Sequence, residues 1–350
     1  LYRITPMEKL MPYQPDVMIN LSASPYNYAQ DIVRNSIIKA HTLKYKLPML
    51  YCNAVGSQTE IIFDGGSMVS NAQGEIIYEL KYFQEDFGIV DMNEISSAIQ
   101  IQPVLEKVER KHQALVMGIR DYFQKLKMTK AVLGLSGGID SALTLAIAAE
   151  ALGPENVLSV LMPSQHSSQH SVDDALQICE NLGSPYNIIA IKDDYEAIIS
   201  SLQPMFEGKK EDVTEENIQA RIRGLLLMAV SNKFGHFLLN TSNKSEVAVG
   251  YGTLYGDMSG GISVIGDVYK TQVFELAKWL NRDAEIIPWN TINKAPSAEL
   301  RHNQKDSDSL PAYDLLDQVL FLYIEKQLGA AEIIAKGFDE KLVSRVLMMV

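Results

Sequence analysis

The feature that most constrains this chain is an alternation of apolar runs and helical stretches that starts at Ala131. The run AVLGL (131–135) is followed by a Gly-rich turn and a helical stretch over 141–152. VLSVL (157–161), a polar turn, a helical stretch over 172–181 and NIIAI (187–191) complete the pattern. Strands covered by helices on both faces have no solvent side, so they read as continuous apolar runs. Helical crossovers between parallel strands then give a doubly wound α/β domain. A further helix can be capped by Thr214, with Glu215 and Glu216 in its first turn, and residues 237–240 add another strand. Beyond them the loops lengthen, at 251–262 and 292–313. Long polar loops at the C-terminal ends of parallel strands are where such folds place ligands.

The first ninety residues follow a different plan. Short strands are expected at 17–20, 49–53, 60–63, 67–70 and 75–80, with a helix over 28–45 ended by Pro48. Turn signals at Asp64-Gly65-Gly66 and from Asn71 to Gly74 give this region the character of a sheet rich in hairpins. The pattern weakens around 92–105, which reads as a linker, and a long helical period follows from near Pro103 to about Met128. The expected division is therefore a first domain at 1–91 and a second at 106–350.

Composition narrows the function classes. With 350 residues, 47% hydrophobic and 21% charged, the chain can bury two cores and is neither disordered, collagenous nor coiled coil. A net charge of −12 argues against a nucleic-acid surface. The longest apolar runs, such as 225–230, fall far short of the ~20 residues that cross a bilayer. Cys52 and Cys179 are the only cysteines, which excludes a disulfide framework and a thiolate zinc cluster and suits the cytosol.

The motif that carries chemistry is Ser136-Gly137-Gly138-Ile139-Asp140-Ser141, between the strand ending Gly134-Leu135 and the next helix. Two glycines allow backbone amides to approach an anion, the serines add hydroxyl donors, and the helix directs its positive end at the same place. A pyrophosphate suits such a loop. Asp140 beside it would repel a polyanion unless a divalent cation intervened, which predicts Mg²⁺. The Gly-Lys-Ser/Thr ending of the P-loop and the third glycine of the dinucleotide fingerprint are both missing. What remains resembles the SGGxDS loop of the N-type ATP pyrophosphatases, whose fold is adenine nucleotide α-hydrolase-like.

Five further segments sharpen the resemblance: NIQARIR (217–223), TSNKSE (241–246), GTLYGD (252–257), YKTQ (269–272) and PSAEL (296–300). Their order and spacing are similar to those of NAD synthetase. Residues 20–26 and 63–67 look like the second half of the nitrilase-type amidase domain, an α/β sandwich, that precedes the synthetase in its glutamine-dependent form. The resemblance implies amidation of deamido-NAD through an acyl adenylate, with ATP cleaved to AMP and pyrophosphate and nitrogen taken from ammonia or glutamine. It assigns ATP to Gly134, Leu135, the Ser136–Ser141 loop, Thr241, Lys270 and Ser297. Mg²⁺ goes to Asp140 and Glu246, and the deamido-NAD substrate to Asn217, Arg221, Glu246 and Asp257. Asp257, Lys270 and Asp140 would carry the catalysis, with Asp257 orienting ammonia. On spacing alone, Asn217 and Arg221 read as a surface pair, which the resemblance reverses; Asp257 can also read as an exposed turn residue and Lys270 as a solvated lysine.

In the amidase region the resemblance assigns glutamine to Ser24, and Gln30 stands where a basic residue often follows. The family's Glu, Lys and Cys set falls upstream of the segment resembling residues 20–26, so this chain is expected to use ammonia without generating it. Cys52, inside MLYCN, reads as a core cysteine. His166 and His170 read as part of a lid rather than a zinc site. The parent protein is expected to be a homo-oligomer. Another member of the pyrophosphatase group, similar to GMP synthetase, and a silent nucleotide-binding module are the alternatives.

Overall fold

A computed structural model describes residues 6–93, 95, 105–302 and 304–350. Most of the expected linker at 92–105, Pro103 included, lies outside those residues. The chain divides into two units, Leu1–Lys125 and Leu126–Val350.

In the first unit a short helix, α1 (Pro6–Leu10), precedes β1 (Met18–Ser22), and α2 (Gln30–Tyr45) connects β1 to its parallel neighbour β2 (Met49–Asn53). A hairpin of β3 (Val55–Gln58) and β4 (Ile61–Asp64) follows, and then β5 (Met68–Ser70) and β6 (Ile76–Glu79). β5 pairs antiparallel with both β2 and β6, giving the strand order β1-β2-β5-β6. Met18, Ile38, Met49, Tyr51 and Met68 form the core between sheet and helix. Cys52 is not part of it. Period-2 alternation turns Met49, Tyr51 and Asn53 inward and leaves Cys52 exposed, which corrects the reading of Cys52 as a core cysteine. Asp64 accepts from Arg34 Nη2 at 2.8 Å and from Asn53 Nδ2 at 3.1 Å, so the buried carboxylate is paired and hydrogen-bonded. The helix α3 (Lys107–Leu126) packs Ala114 and Met117 against Tyr82 and Phe83 of the same unit.

The second unit is the α/β domain. It begins with β7 (Ala131–Gly134), α4 (Ile139–Leu152), β8 (Val157–Leu161), α5 (Gln169–Leu182) and β9 (Tyr186–Ile188). Two helices, α6 (Lys192–Phe206) and α7 (Val213–Phe234), lead to β10 (Phe237–Asn240). Then come α8 (Lys244–Ala248), β11 (Ile262–Ser263), α9 (Lys270–Leu280), α10 (Trp289–Asn293), α11 (Tyr313–Leu320), α12 (Ala330–Ala335) and α13 (Glu340–Met349). All strands are parallel, in the order β11-β10-β7-β8-β9. The chain runs outward from β7 to β9 and then returns to the other side of β7, so a switch point lies between β7 and β10. α4 is apolar almost all round because it is buried almost all round, from Ala142 to Ala149. The cap of α7 is Asp212, not Thr214. Its carboxylate accepts from Thr214 N at 2.8 Å, and Glu215 accepts from Asp212 N at 2.8 Å. A second core, built from Leu316, Val319, Leu320, Ile333, Val343 and Val346, joins α11, α12 and α13 behind the loops.

Candidate active site

At the C-terminal end of β7 the chain turns through Leu135 to Gly138 before α4. Ser136 Oγ accepts from Gly138 N at 3.2 Å and faces Ser141 Oγ at 3.2 Å, while Ser141 Oγ donates to Gly138 O at 3.1 Å. The hydroxyls therefore hold the loop shape. Gly137 has φ +78°, and a Cβ there would come within 2.0 Å of Ser171 O, so only glycine lets α5 approach. The loop opens into a cavity of about 290 Å³ at the switch point. Of the residues expected to hold ATP, Gly134, Leu135, Ser136, Gly138, Ile139, Asp140, Ser141, Thr241, Lys270 and Ser297 line it. Gly137 is not among the residues that line it.

Three charged side chains converge at its base. Lys270, at the start of α9, is only 2% exposed and its Nζ is paired with Asp140 Oδ2 and, at 3.2 Å, with Glu246 Oε1. Asn243 ties the groups together: its Nδ2 donates to Asp140 Oδ1 at 2.9 Å, and its Oδ1 caps α8 by accepting from Glu246 N at 3.0 Å. Burial pushes Glu246 up to about 7, helped by the charge of Asp140 and opposed by Lys270. Burial alone would lower Lys270, but Asp140 and Glu246 outweigh it and hold the ammonium above the ordinary lysine value. Asp306, also lining the cavity, accepts from Tyr313 Oη at 2.8 Å and is raised by its own burial. Negative charge thus exceeds the single lysine, which is the donor chemistry of a hard divalent cation. Among the described residues no three His, Cys, Asp or Glu side chains form a metal cage. Asp140 and Glu246 are two carboxylates beside the loop, a donor set of the kind that Mg²⁺ takes together with substrate phosphates.

Asp257 also lines the cavity, and burial raises it despite a hydrogen bond from Thr253 N at 2.6 Å. Its loop rests on α7. A Cβ at Gly256 would meet the backbone carbon of Ala220 at 2.9 Å. Asn217 and Arg221 hold this loop from the same helix: Asn217 Oδ1 accepts from Thr253 Oγ1 at 2.7 Å and Arg221 Nε donates to Leu254 O at 3.2 Å. Neither is among the residues lining the cavity. Ser24 belongs to the first unit, where its Oγ accepts from Gln30 Nε2 at 3.1 Å and its N donates to Asn53 Oδ1 at 2.8 Å.

Residues 111–350 match the family model for NAD synthase. The chain belongs to the NAD synthase family. It is 47% identical to the glutamine-dependent NAD(+) synthetase of Synechocystis over all of its length and 63% of that protein's. It is 44% identical to the one from Thermotoga maritima, over 95% of this chain and 64% of the relative. Among solved structures, the glutamine-dependent NAD+ synthetase of Acinetobacter baumannii in complex with ADP is similar with a TM-score of 0.79 and 43% identity, over 98% of this chain and 64% of that one. The chain thus spans a little under two thirds of the length of these relatives.

The NAD synthase unit contains cavity residues that motif reasoning passed over. Arg223, two positions beyond Arg221, donates from Nε to Met162 O at 3.1 Å, and burial lowers its pKa to about 10 against the charges of Glu299 and Asp257. The only signal for it was its place within NIQARIR. Lys294 pairs with Asp174 at 3.2 Å, and Glu299 reaches the start of α5. These lay in a long loop without a periodic pattern. His170 stands in the first turn of α5 and His166 in the loop before it.

Proposed function

We propose that the second unit is the ligase half of a glutamine-dependent NAD+ synthetase, which uses ATP to amidate the nicotinate carboxylate of deamido-NAD. The observation that supports this best is the convergence of Asp140, Glu246 and Lys270 beside an amide-rich loop at the sheet's switch point. Carboxylate oxygen is a poor leaving group, so the acid must be activated. Its oxygen attacks the α-phosphorus of ATP and displaces pyrophosphate, giving an acyl adenylate. Ammonia then adds to the carbonyl, a proton is lost and AMP departs. The first step brings two anions together, which only an electropositive site allows.

In this reading the amides and hydroxyls from Ser136 to Ser141, with the N-terminus of α4, hold pyrophosphate. Asp140 and Glu246 would hold Mg²⁺, which when bound neutralises phosphate charge. Lys270 supplies fixed positive charge at the same place. Thr241 and Ser297 border the nucleotide from β10 and the 294–301 loop. Asp257 orients the incoming nitrogen and takes up its proton, a role suited to a carboxylate raised by burial. Glu246 and the Asp257 loop, with its supports Asn217 and Arg221, form the deamido-NAD side.

Residues 1–91 are proposed as part of the amidotransferase domain with Ser24 at the glutamine, 92–105 as a linker, and 106–350 as the synthetase. The helix α3 packs with the first unit, whereas the family match starts within it. The full-length protein would take nitrogen from glutamine and work as a cytoplasmic homo-oligomer. No described helix is long and apolar enough to cross a membrane.

The test is incubation of the chain with ATP, Mg²⁺, ammonium and deamido-NAD. NAD+ and AMP should form in equal amounts. Turnover of xanthosine monophosphate in place of deamido-NAD, or nucleotide binding with no AMP, would overturn the reading.

A further inference from the structure

The segment from Lys294 to Arg301 runs along the cavity, and seven consecutive residues of it, from Lys294 to Leu300, line it. Both ends of that stretch are fastened to one helix, α5. At the near end Lys294 Nζ reaches Ser171 Oγ at 3.1 Å and Asp174 Oδ2 at 3.2 Å, and Asn290 Nδ2 donates to the same Asp174 oxygen at 2.7 Å. At the far end Glu299 faces the first turn of α5. Its Oε1 accepts from Ser171 Oγ at 2.7 Å and Ser168 Oγ at 2.9 Å, and its Oε2 from Ser168 N at 3.3 Å. Glu299 has φ +50°, a conformation costly for a residue with a side chain unless its surroundings enforce it.

From these contacts we infer that Glu299 is a positioning residue for the nucleotide site: its carboxylate clasps the 294–301 strap to α5, and through that clasp it sets both Ser297 and the Gly137 turn. Two connections make the clasp matter at the site. Glu299 N donates to Ser297 Oγ at 3.1 Å and that hydroxyl donates to Gln304 O at 2.6 Å, so its oxygen is held in part by the clasp's own backbone. Ser171, which the clasp holds, presents its carbonyl to Gly137 so closely that no Cβ could intervene. Thr291 Oγ1 donates to Gly137 O at 3.4 Å from the other side. The strap and the phosphate-loop turn are therefore supported by one helix end, and a change in Glu299 reaches both. Neutralising it removes charge-assisted hydrogen bonds and leaves every residue assigned to the nucleotide above in place, although Glu299 itself also lines the cavity.

This inference rests on the proposed nucleotide site, so its test has one readout that does not depend on turnover. Glu299→Gln, Glu299→Ala, the Ser168→Ala/Ser171→Ala pair and their combination are compared in the full chain. Amide hydrogen exchange over 294–301 should quicken in every variant. The KM for ATP should rise roughly tenfold in Glu299→Ala, the scale of one charge-assisted hydrogen bond, with kcat and Tm nearly unchanged. Because the serines also cap α5 and hold Lys294, the combined variant should be no worse than the serine pair alone. A purely structural role would lower Tm and leave the KM in place. Unchanged exchange, or serine and glutamate effects that add, would overturn the clasp. If the wild-type chain fails to turn over deamido-NAD while exchange still responds to Glu299, the proposed function fails and the clasp stands.

Discussion

At the scale of single residues, Lys270 shows what a motif conceals. The hexapeptide at 136–141 was legible because its chemistry is contiguous: glycines, hydroxyls and a helix start occur within six positions. The lysine's burial was not legible, because its partners are 130 and 24 positions away in the chain. Replacement by methionine keeps the volume and strands two buried carboxylates without their cation. Such breakage costs about 3–5 kcal/mol. Urea unfolding in the presence of chelator should show a loss of that size for Lys270→Met, and an unchanged midpoint would mean that the carboxylates are solvated after all. Asp140→Asn removes one negative charge from the same cluster, and its amide can still face Asn243. Here the fold should persist while adenylate formation, followed by pyrophosphate release, falls by roughly 10²- to 10³-fold, as for loss of one preorganised electrostatic group. Pyrophosphate release at the wild-type rate would refute the assignment. Arg223 and Glu299 escaped notice for a similar reason. Each is charged in an otherwise ordinary stretch, and only folding shows that it faces the cavity.

Elements were read more readily than their ends. Apolar runs announced β7, β8 and β10 because a strand buried on both faces leaves no choice of residue. Cys52 was misread because the first unit's sheet alternates instead, so one position in MLYCN turned outward. Caps were harder. α9 has no side-chain cap immediately before it. Its first turn is satisfied from α11, where Asp317 accepts from Thr271 N at 2.8 Å and from Ser245 Oγ at 2.5 Å, and Ser245 Oγ accepts from Lys270 N at 2.8 Å. No local pattern points to a carboxylate 46 residues away. The arrangement has a measurable signature. Burial raises Asp317 above its ordinary 3.8 even though these hydrogen bonds oppose the shift. The folded chain therefore keeps a proton that the unfolded chain releases, and this group's contribution to stability falls as pH rises from 3.8 through the raised folded value. Asp317→Asn lacks that ionisation and can still donate to Ser245 and accept from Thr271. The stability of the variant relative to wild type should therefore increase with pH across this window and level off above it. A flat difference in urea titrations between pH 4 and 7 would show that Asp317 is not perturbed in the folded protein.

For the whole molecule, the net charge of −12 was legible at once and the site's charge balance was not. An acidic chain that binds a polyanion must do so locally, through amides, one buried lysine and a cation. That locality predicts how ligand binding should divide between the units. The first unit has its own core around Tyr51 and Met68, and the second is built on β7 and α4. A ligand confined to the cavity of the second unit stabilises only the structure that forms that cavity. ADP at a hundredfold excess over its Kd contributes about 2.7 kcal/mol. For a unit of this size that corresponds to a rise in Tm of roughly 5–11 °C. Scanning calorimetry of the chain with ADP and Mg²⁺ should show this rise in the transition of the second unit alone. Chelation should shrink it, because Asp140 and Glu246 then face phosphate with no cation between them, and Lys270 alone is paired with both. If nucleotide shifts the first unit's transition instead, or shifts the second equally with and without the cation, the bridging role assigned to those carboxylates is wrong.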